Sequence, residues 1–195
     1  MLRRFVGLIG VVLMLGLAGC APAHELSGSP YQDPQAAPAL HLQTTTSEPY
    51  VLADHHGQVV LLYFGYTHCP DECPATLSEW EWLADQLGPD RDRVEFVFVT
   101  IDPKRDTSTV TRQFLDQFGT DFIGLIGSAD QIDVAKAGYG VFAEADDEHD
   151  EDSAVTHTSR TFLIGPDGKL LSGYTFDEPR QALLDDVRYL LKTSS

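Results

Sequence analysis

The chain has 195 residues, with 13 basic against 30 acidic side chains, a formal charge of −17 and a pI near 4.5. That length suits one domain with a full core and a short extension. The charge excludes the basic surface that nucleic-acid binding requires, and leaves a solvated acidic surface or one that meets a cationic partner.

The first segment reads as an address. Arg3 and Arg4 precede an apolar run from Phe5 to Leu17 that is too short to span a bilayer comfortably. The run ends in Leu17-Ala18-Gly19-Cys20, which resembles the lipobox of bacterial lipoproteins. The resemblance implies cleavage after Gly19, lipid on Cys20, and a domain held on the extracytoplasmic face of a bacterial cell-envelope membrane. An uncleaved anchor or an ordinary secretory signal competes with it, and both also put the domain outside the cytoplasm. Loss of residues 1–19 leaves eleven basic residues against thirty acidic ones, a formal charge of −19. From Ala21 to Pro49 the chain is rich in Pro, Ala, Ser, Thr and Gln. Residues 20–49 are therefore expected to form a flexible tether, and residues 50–195 the domain.

Val59 to Gly65 is apolar at every position, as in a central parallel strand. A helix should follow the cysteines, carrying Leu77, Trp80, Leu83, Ala84 and Leu87 at helical spacing and stopping at Gly88-Pro89. Then come a buried strand from Val94 to Ile101, a helix from Ser108 to Phe118 capped by Asp106 or Thr107, a short strand from Phe122 to Ile126 and a helix from Ala129 to Ala137. An acidic loop runs from Glu144 to Asp152. Thr161 to Ile164 and Lys169 to Tyr174 read as a hairpin about Gly165-Pro166-Asp167-Gly168, and Arg180 to Leu191 as a closing amphipathic helix. This order predicts an α/β, thioredoxin-like fold with one inserted strand–helix unit: a central mixed sheet flanked by helices.

With Cys20 assigned to lipid, Cys69 and Cys73 are the remaining thiols. A disulfide between them closes too short a loop to remove much unfolded-state entropy, so a chemical role fits better. They fall where a strand gives way to a helix at the carboxyl end of the sheet, where α/β sites form. If both sit on the first helical turn, their i, i+4 spacing puts them on one face, and the helix N-terminus favours thiolate. Two thiolates there can hold a metal or exchange electrons.

Among the histidines, His24 and His41 fall in the tether and His55 and His56 in a turn. His68 adjoins Cys69 and could tune its thiolate without sharing its metal. His157 precedes a strand, in a loop facing the cysteines. Thioredoxin-like oxidoreductases usually offer a cis-proline in that loop, but no proline lies between Gly140 and Gly165. His157 there completes a set of two cysteines and one histidine. Such a soft, low-coordinate set suits Cu(I), or Cu(II) with an added ligand, better than structural zinc, which takes four protein ligands.

The segments Gly65-Tyr66-Thr67-His68-Cys69-Pro70-Asp71-Glu72-Cys73-Pro74, Ile101-Asp102-Pro103-Lys104-Arg105-Asp106-Thr107, and His157 ahead of Phe162-Leu163-Ile164-Gly165-Pro166-Asp167-Gly168 together resemble the SCO/SenC family over Val51 to Leu191. The resemblance implies a thioredoxin-like fold, copper held by Cys69, Cys73 and His157, and a role in assembling the binuclear copper (CuA) centre of cytochrome c oxidase. The expected partners are the copper-bearing oxidase subunit or another copper acceptor, a copper donor protein and, through the lipid anchor, the membrane. The role implied is that of a metallochaperone. The alternatives are a thiol-disulfide reductase whose redox-active pair Cys69 and Cys73 reduces the acceptor's cysteines, or a copper or redox sensor. A peroxiredoxin-like peroxidase would need a Thr and an Arg beside the thiol, for which only Thr67 and Arg105 offer themselves.

Arg105 could pair with nearby carboxylates, and the Asp102 to Thr107 segment otherwise reads as a turn and helix cap. Two departures from the family pattern stand out. The hairpin expected before the first central strand looks reduced or irregular across His41 to Pro49. The loop Glu144 to Asp152 carries seven carboxylates around His149, which could make it a weak second cation site or an attractor of basic partners, against the simpler role of a solvated loop.

Overall fold

The computed structural model describes residues 24–145 and 155–194. The lipobox, and the acidic loop beyond Ala145 with His149, lie outside the described residues. Ten strands and four α-helices follow in chain order: β1 (Ser29–Pro30), β2 (His41–Thr44), β3 (Pro49–Val51), β4 (Val59–Gly65), α1 (Glu72–Leu87), β5 (Val94–Thr100), α2 (Ser108–Leu115), β6 (Ile123–Ile126), α3 (Ala129–Tyr139), β7 (Ala143–Ala145), β8 (Val155–His157), β9 (Thr161–Ile164), β10 (Leu170–Tyr174) and α4 (Arg180–Thr193). Eight strands form one sheet in the order β1-β10-β9-β4-β5-β6-β2-β3, and β7 pairs with β8 in a separate ribbon.

The seven residues of β4 are all buried, parallel to β5 on one side and antiparallel to β9 on the other. A strand covered on both faces needs no alternation, which is why its run is continuously apolar. Tyr63 points to the face packed by α1, with its ring edge-on to Trp80, while Phe64 points to the other face, against Tyr139 of α3 and Phe162 of β9. Trp80 fills the core between Phe96 and Phe122. Gly88, at φ 54°, ends α1 where the sequence marks the stop. The inserted unit is β6 and α3, with β6 extending the sheet beyond β5. The thioredoxin-like mixed sheet with flanking helices is therefore present.

Two expectations change. The segment expected to be a tether is packed onto the domain from His24 onward. β1 pairs with the edge of β10, Tyr31 N–H donates to Leu171 O at 3.0 Å, Ala37 N–H to Gly168 O at 2.8 Å, and Leu40 is 1 % exposed. Its composition is poor in apolar side chains, but main-chain bonding to an open sheet edge does not depend on composition. The buried carboxylate of Asp186 anchors the segment. It accepts from Ser27 N–H at 2.7 Å and from Tyr174 O–H at 2.6 Å, and meets His24 Nε2 at 2.6 Å. The hairpin β2–β3 is short but regular: His41 faces Val51, Leu42 faces Tyr50 and Gln43 faces Pro49, with Leu42 and Tyr50 buried.

Asp186→Ala leaves the Ser27 and Tyr174 donors without this acceptor and should destabilise the protein by about 1–3 kcal/mol. Amide hydrogen exchange should show residues 24–30 losing protection first. Unchanged protection there would mean that Asp186 does not anchor the segment.

Candidate metal centre

The site forms where β4 ends. Gly65 O accepts from Ile101 N–H at 2.8 Å, the last bond joining β4 to the chain leaving β5. Beyond it the backbone is held by Asp106, a carboxylate 2 % exposed. Asp106 accepts from Thr67 N–H at 3.1 Å, from Thr67 O–H at 2.6 Å and from Thr100 O–H at 2.6 Å. Burial pushes its pKa up, and the hydroxyl and amide donors oppose that. The helix cap is Thr107, whose Oγ1 accepts from Val110 N–H at 3.3 Å, so Asp106 secures the cysteine loop instead. Arg105 pairs with Asp102, as its sequence position suggested, and its guanidinium stands 5.8 Å from the Tyr66 ring.

Cys69 is not on the first helical turn. It lies in a turn three residues before α1, half-buried, with its N–H donating to Tyr66 O at 3.3 Å. Its Sγ accepts from Cys73 N–H at 3.4 Å, so the sulfur satisfies an amide that the helix start leaves unbonded. Cys73 is fully buried. A Cβ at Gly65 would stand 2.9 Å from Cys73 Sγ and 2.8 Å from the Phe98 and Tyr63 rings, so only glycine lets the sulfur sit against the strand end.

His157 is the last residue of β8 rather than part of a loop, and β9 starts at Thr161. Its Nδ1–H donates to Thr158 O at 3.2 Å, which leaves Nε2 as the lone-pair nitrogen. Nε2 lies 3.8 Å from Cys73 Sγ, and the ring stands edge-on to Tyr63 and Tyr66. The ligand atoms of Cys69, Cys73 and His157 all lie within 4.8 Å of one another.

The two thiols are driven apart in acidity. The Cys69 pKa is pushed below the thiol range by the hydrogen bond from Cys73 and by the Cys73 and Asp71 amides, against a burial effect that raises it. Cys73 is pushed up, because it gives the bond that Cys69 receives and is itself desolvated. Two ligands of one first-row ion, at bond lengths of about 2.0–2.3 Å, stand roughly 3.3–4.0 Å apart, which the Cys73–His157 separation matches. The donors are two sulfurs and one imidazole nitrogen, a soft set that fits copper. Among the described residues the cluster stops at three such ligands, one fewer than structural zinc uses.

Among the described residues, the other histidines serve elsewhere. His24 stacks on Tyr189, His55 bonds Glu95 at 2.7 Å, His56 sits beside Gly168, and His41 is exposed on β2. His68 is exposed, with Nδ1 at 3.0 Å from Thr67 Oγ1 and 3.8 Å from Asp106, so its bonds go to the loop's support rather than to Cys69. Sequence reasoning missed Tyr63, Ser159 and Glu72, and of the two caps it offered, Asp106 or Thr107, the second is the one that caps α2. Tyr63 O–H lies 3.8 Å from Cys73 Sγ and 2.9 Å from Ser159 Oγ, and Ser159 donates to Glu72 at 2.5 Å. Only Tyr63 carried a signal, as the one polar tip in an apolar strand.

Fold and site together define a thioredoxin-like protein in which two cysteines and one histidine are grouped as a metal ion would need them. The SCO1/SenC family model matches residues 29–192, and the chain belongs to that family. It is 37 % identical over 139 residues to the mitochondrial protein SCO2 homolog of Bos taurus, covering 70 % of this chain and 52 % of that one. The chain spans about half the length of the curated relatives it first matches. Among solved structures it is similar to apo Sco1 of Thermus thermophilus, with a TM-score of 0.78 at 30 % identity, covering 88 % of this chain and 100 % of that one. It is also similar to ScoI of Bradyrhizobium japonicum with copper bound, with a TM-score of 0.74 at 28 % identity, covering 80 % and 100 %.

In reduced, metal-free protein, alkylation of Cys69 should stay fast as the pH falls below the ordinary thiol range, because a lowered pKa keeps the thiolate at lower pH. Cys73→Ala removes the donor and should move the fall in rate to higher pH. A profile unchanged by that substitution would contradict the assigned bond.

Proposed function

We propose that this protein carries one copper ion on Cys69, Cys73 and His157 and delivers it to the copper-bearing subunit of cytochrome c oxidase, having received it from a donor protein. In this proposal it works from the extracytoplasmic face of a bacterial membrane, held by lipid on Cys20. The observation that carries the copper reading is the convergence of the three ligand atoms within 4.8 Å, on the fold of a relative that contains copper.

The ligands differ in access, and this gives transfer an order. Cys73 is fully buried and acts as the anchor, while Cys69 and His157 are half-buried at the rim. An acceptor thiol or imidazole reaches the ion from the rim side, displaces Cys69 or His157 first and Cys73 last. The acidic surface favours cation approach and a partner with a basic docking face.

His157→Ala should lower Cu(I) affinity by more than the roughly 10–100-fold typical of outer hydrogen-bond partners, with the fold retained. Chelator competition measures it, and unchanged affinity and stoichiometry would sink the site assignment. Cys20→Ser should remove the lipid, seen by mass, and move the protein from the membrane to the soluble fraction. Membrane retention by that variant would contradict lipid anchoring.

The lowered pKa and half-exposure of Cys69 favour one second reading. Its thiolate could attack an acceptor disulfide to form a mixed disulfide. Cys73 would then attack Cys69 Sγ, releasing the acceptor as a dithiol and leaving a Cys69–Cys73 disulfide. Thiol transfer retained by His157→Ala supports this reading over delivery.

A further inference from the structure

His157 is the one ligand that does not come from the cysteine segment. It lies 84 residues from Cys73, on a ribbon outside the main sheet whose two strands have three residues each. A two-stranded ribbon is marginal by itself, so something must fix its distance from α1.

The three residues His157-Thr158-Ser159 are gripped from both sides. Thr158 faces the ribbon: its N–H donates to Phe142 O at 3.0 Å, and its Oγ1 accepts from Phe142 N–H at 3.2 Å. Ser159 faces the cysteines. It donates to Glu72 Oε2 at 2.5 Å and lies 2.9 Å from Tyr63 O–H. Between these grips, the Thr158 carbonyl receives the Nδ1–H of His157 at 3.2 Å.

The chain of bonds has one direction. A carboxylate only accepts, so the Ser159 O–H points at Glu72, and Ser159 Oγ accepts from Tyr63 O–H. The Tyr63 oxygen also stands 3.8 Å from Cys73 Sγ. Glu72 is the first residue of α1 and immediately precedes Cys73, and Tyr63 lies two residues before Gly65 in β4. Ser159 is therefore fastened to both elements that place Cys73.

We propose that Glu72, Ser159 and Tyr63 form a clasp that sets His157 against the cysteines, with Ser159 and Glu72 as positioning residues acting through the Thr158 carbonyl. This rests on the reading that Cys69, Cys73 and His157 bind copper together. The clasp holds the peptide that orients the imidazole, so its loss lowers metal affinity without removing a ligand.

The test uses the full chain, reduced, as wild type, Ser159→Ala, Ser159→Thr, His157→Ala and the double variant His157→Ala with Ser159→Ala. Chelator competition for Cu(I) should show Ser159→Ala weakened about 10–100-fold, as for other partners of metal-binding histidines. Ser159→Thr keeps the hydroxyl and should rescue the affinity. In the His157→Ala background Ser159→Ala should have no further effect, the signature of a role exercised through that imidazole. Wild-type affinity in Ser159→Ala, or an equal loss in both backgrounds, would overturn the clasp. In the copper-free protein, nitrogen NMR should show His157 held as the Nδ1–H tautomer in wild type and averaging in Ser159→Ala. Failure of wild type to bind copper would refute the proposed function alone. The copper-free spectra would still decide the clasp, and identical ring signals in the two proteins would overturn it.

Discussion

Everything functional in this molecule hangs on where β4 stops. The strand is buried along its whole length between β5 and β9, so its position is fixed by pairing on both edges and packing on both faces. It ends at Gly65, where the missing side chain leaves room for Cys73 Sγ. One methyl group there would collide with the sulfur and two aromatic rings, in an interior too dense to yield. The candidate metal site thus forms where a fully buried strand ends, with Cys73 Sγ packed against Gly65.

Polar groups do the remaining positioning. Asp106 gathers Thr67 and Thr100 and so ties the start of the cysteine loop to the end of β5. A buried carboxylate is costly unless its oxygens are satisfied, and here both accept hydroxyl bonds. On the opposite side, Ser159 and the Thr158 carbonyl do the same for the ribbon bearing His157. The candidate site is therefore built from a strand end, the cysteine segment and the β8 ribbon, held in place by side chains outside the three candidate ligands.

The N-terminal segment shows the same economy. Its few apolar residues gave it the composition of a linker, yet it completes the sheet through main-chain bonds to β10 and is anchored by Asp186. The domain accordingly begins within four residues of Cys20, the position proposed for the lipid. A protein so anchored would stand close to the membrane surface.

The central strand, α1 and the β9–β10 hairpin were legible because continuous apolar runs, helical spacing and a Gly-Pro-Asp-Gly turn are local signals. Cys69 and Cys73 were legible for the same reason, being four residues apart at a strand-to-helix junction. His157 emerged from the chemistry a cysteine pair lacks and from family resemblance, but its seat on a ribbon rather than in a loop did not. Pairing of three-residue strands leaves little pattern in a sequence. Asp106 looked like a cap because its neighbour Thr107 is one, and nothing local distinguishes a carboxylate that faces its own helix from one that faces a distant loop. The sequence by itself determined the central elements, the ligand types and the fold class. Tertiary structure alone decided which polar side chains hold the ligands, because Glu72, Ser159, Asp106 and Asp186 act across chain separations that no local periodicity records.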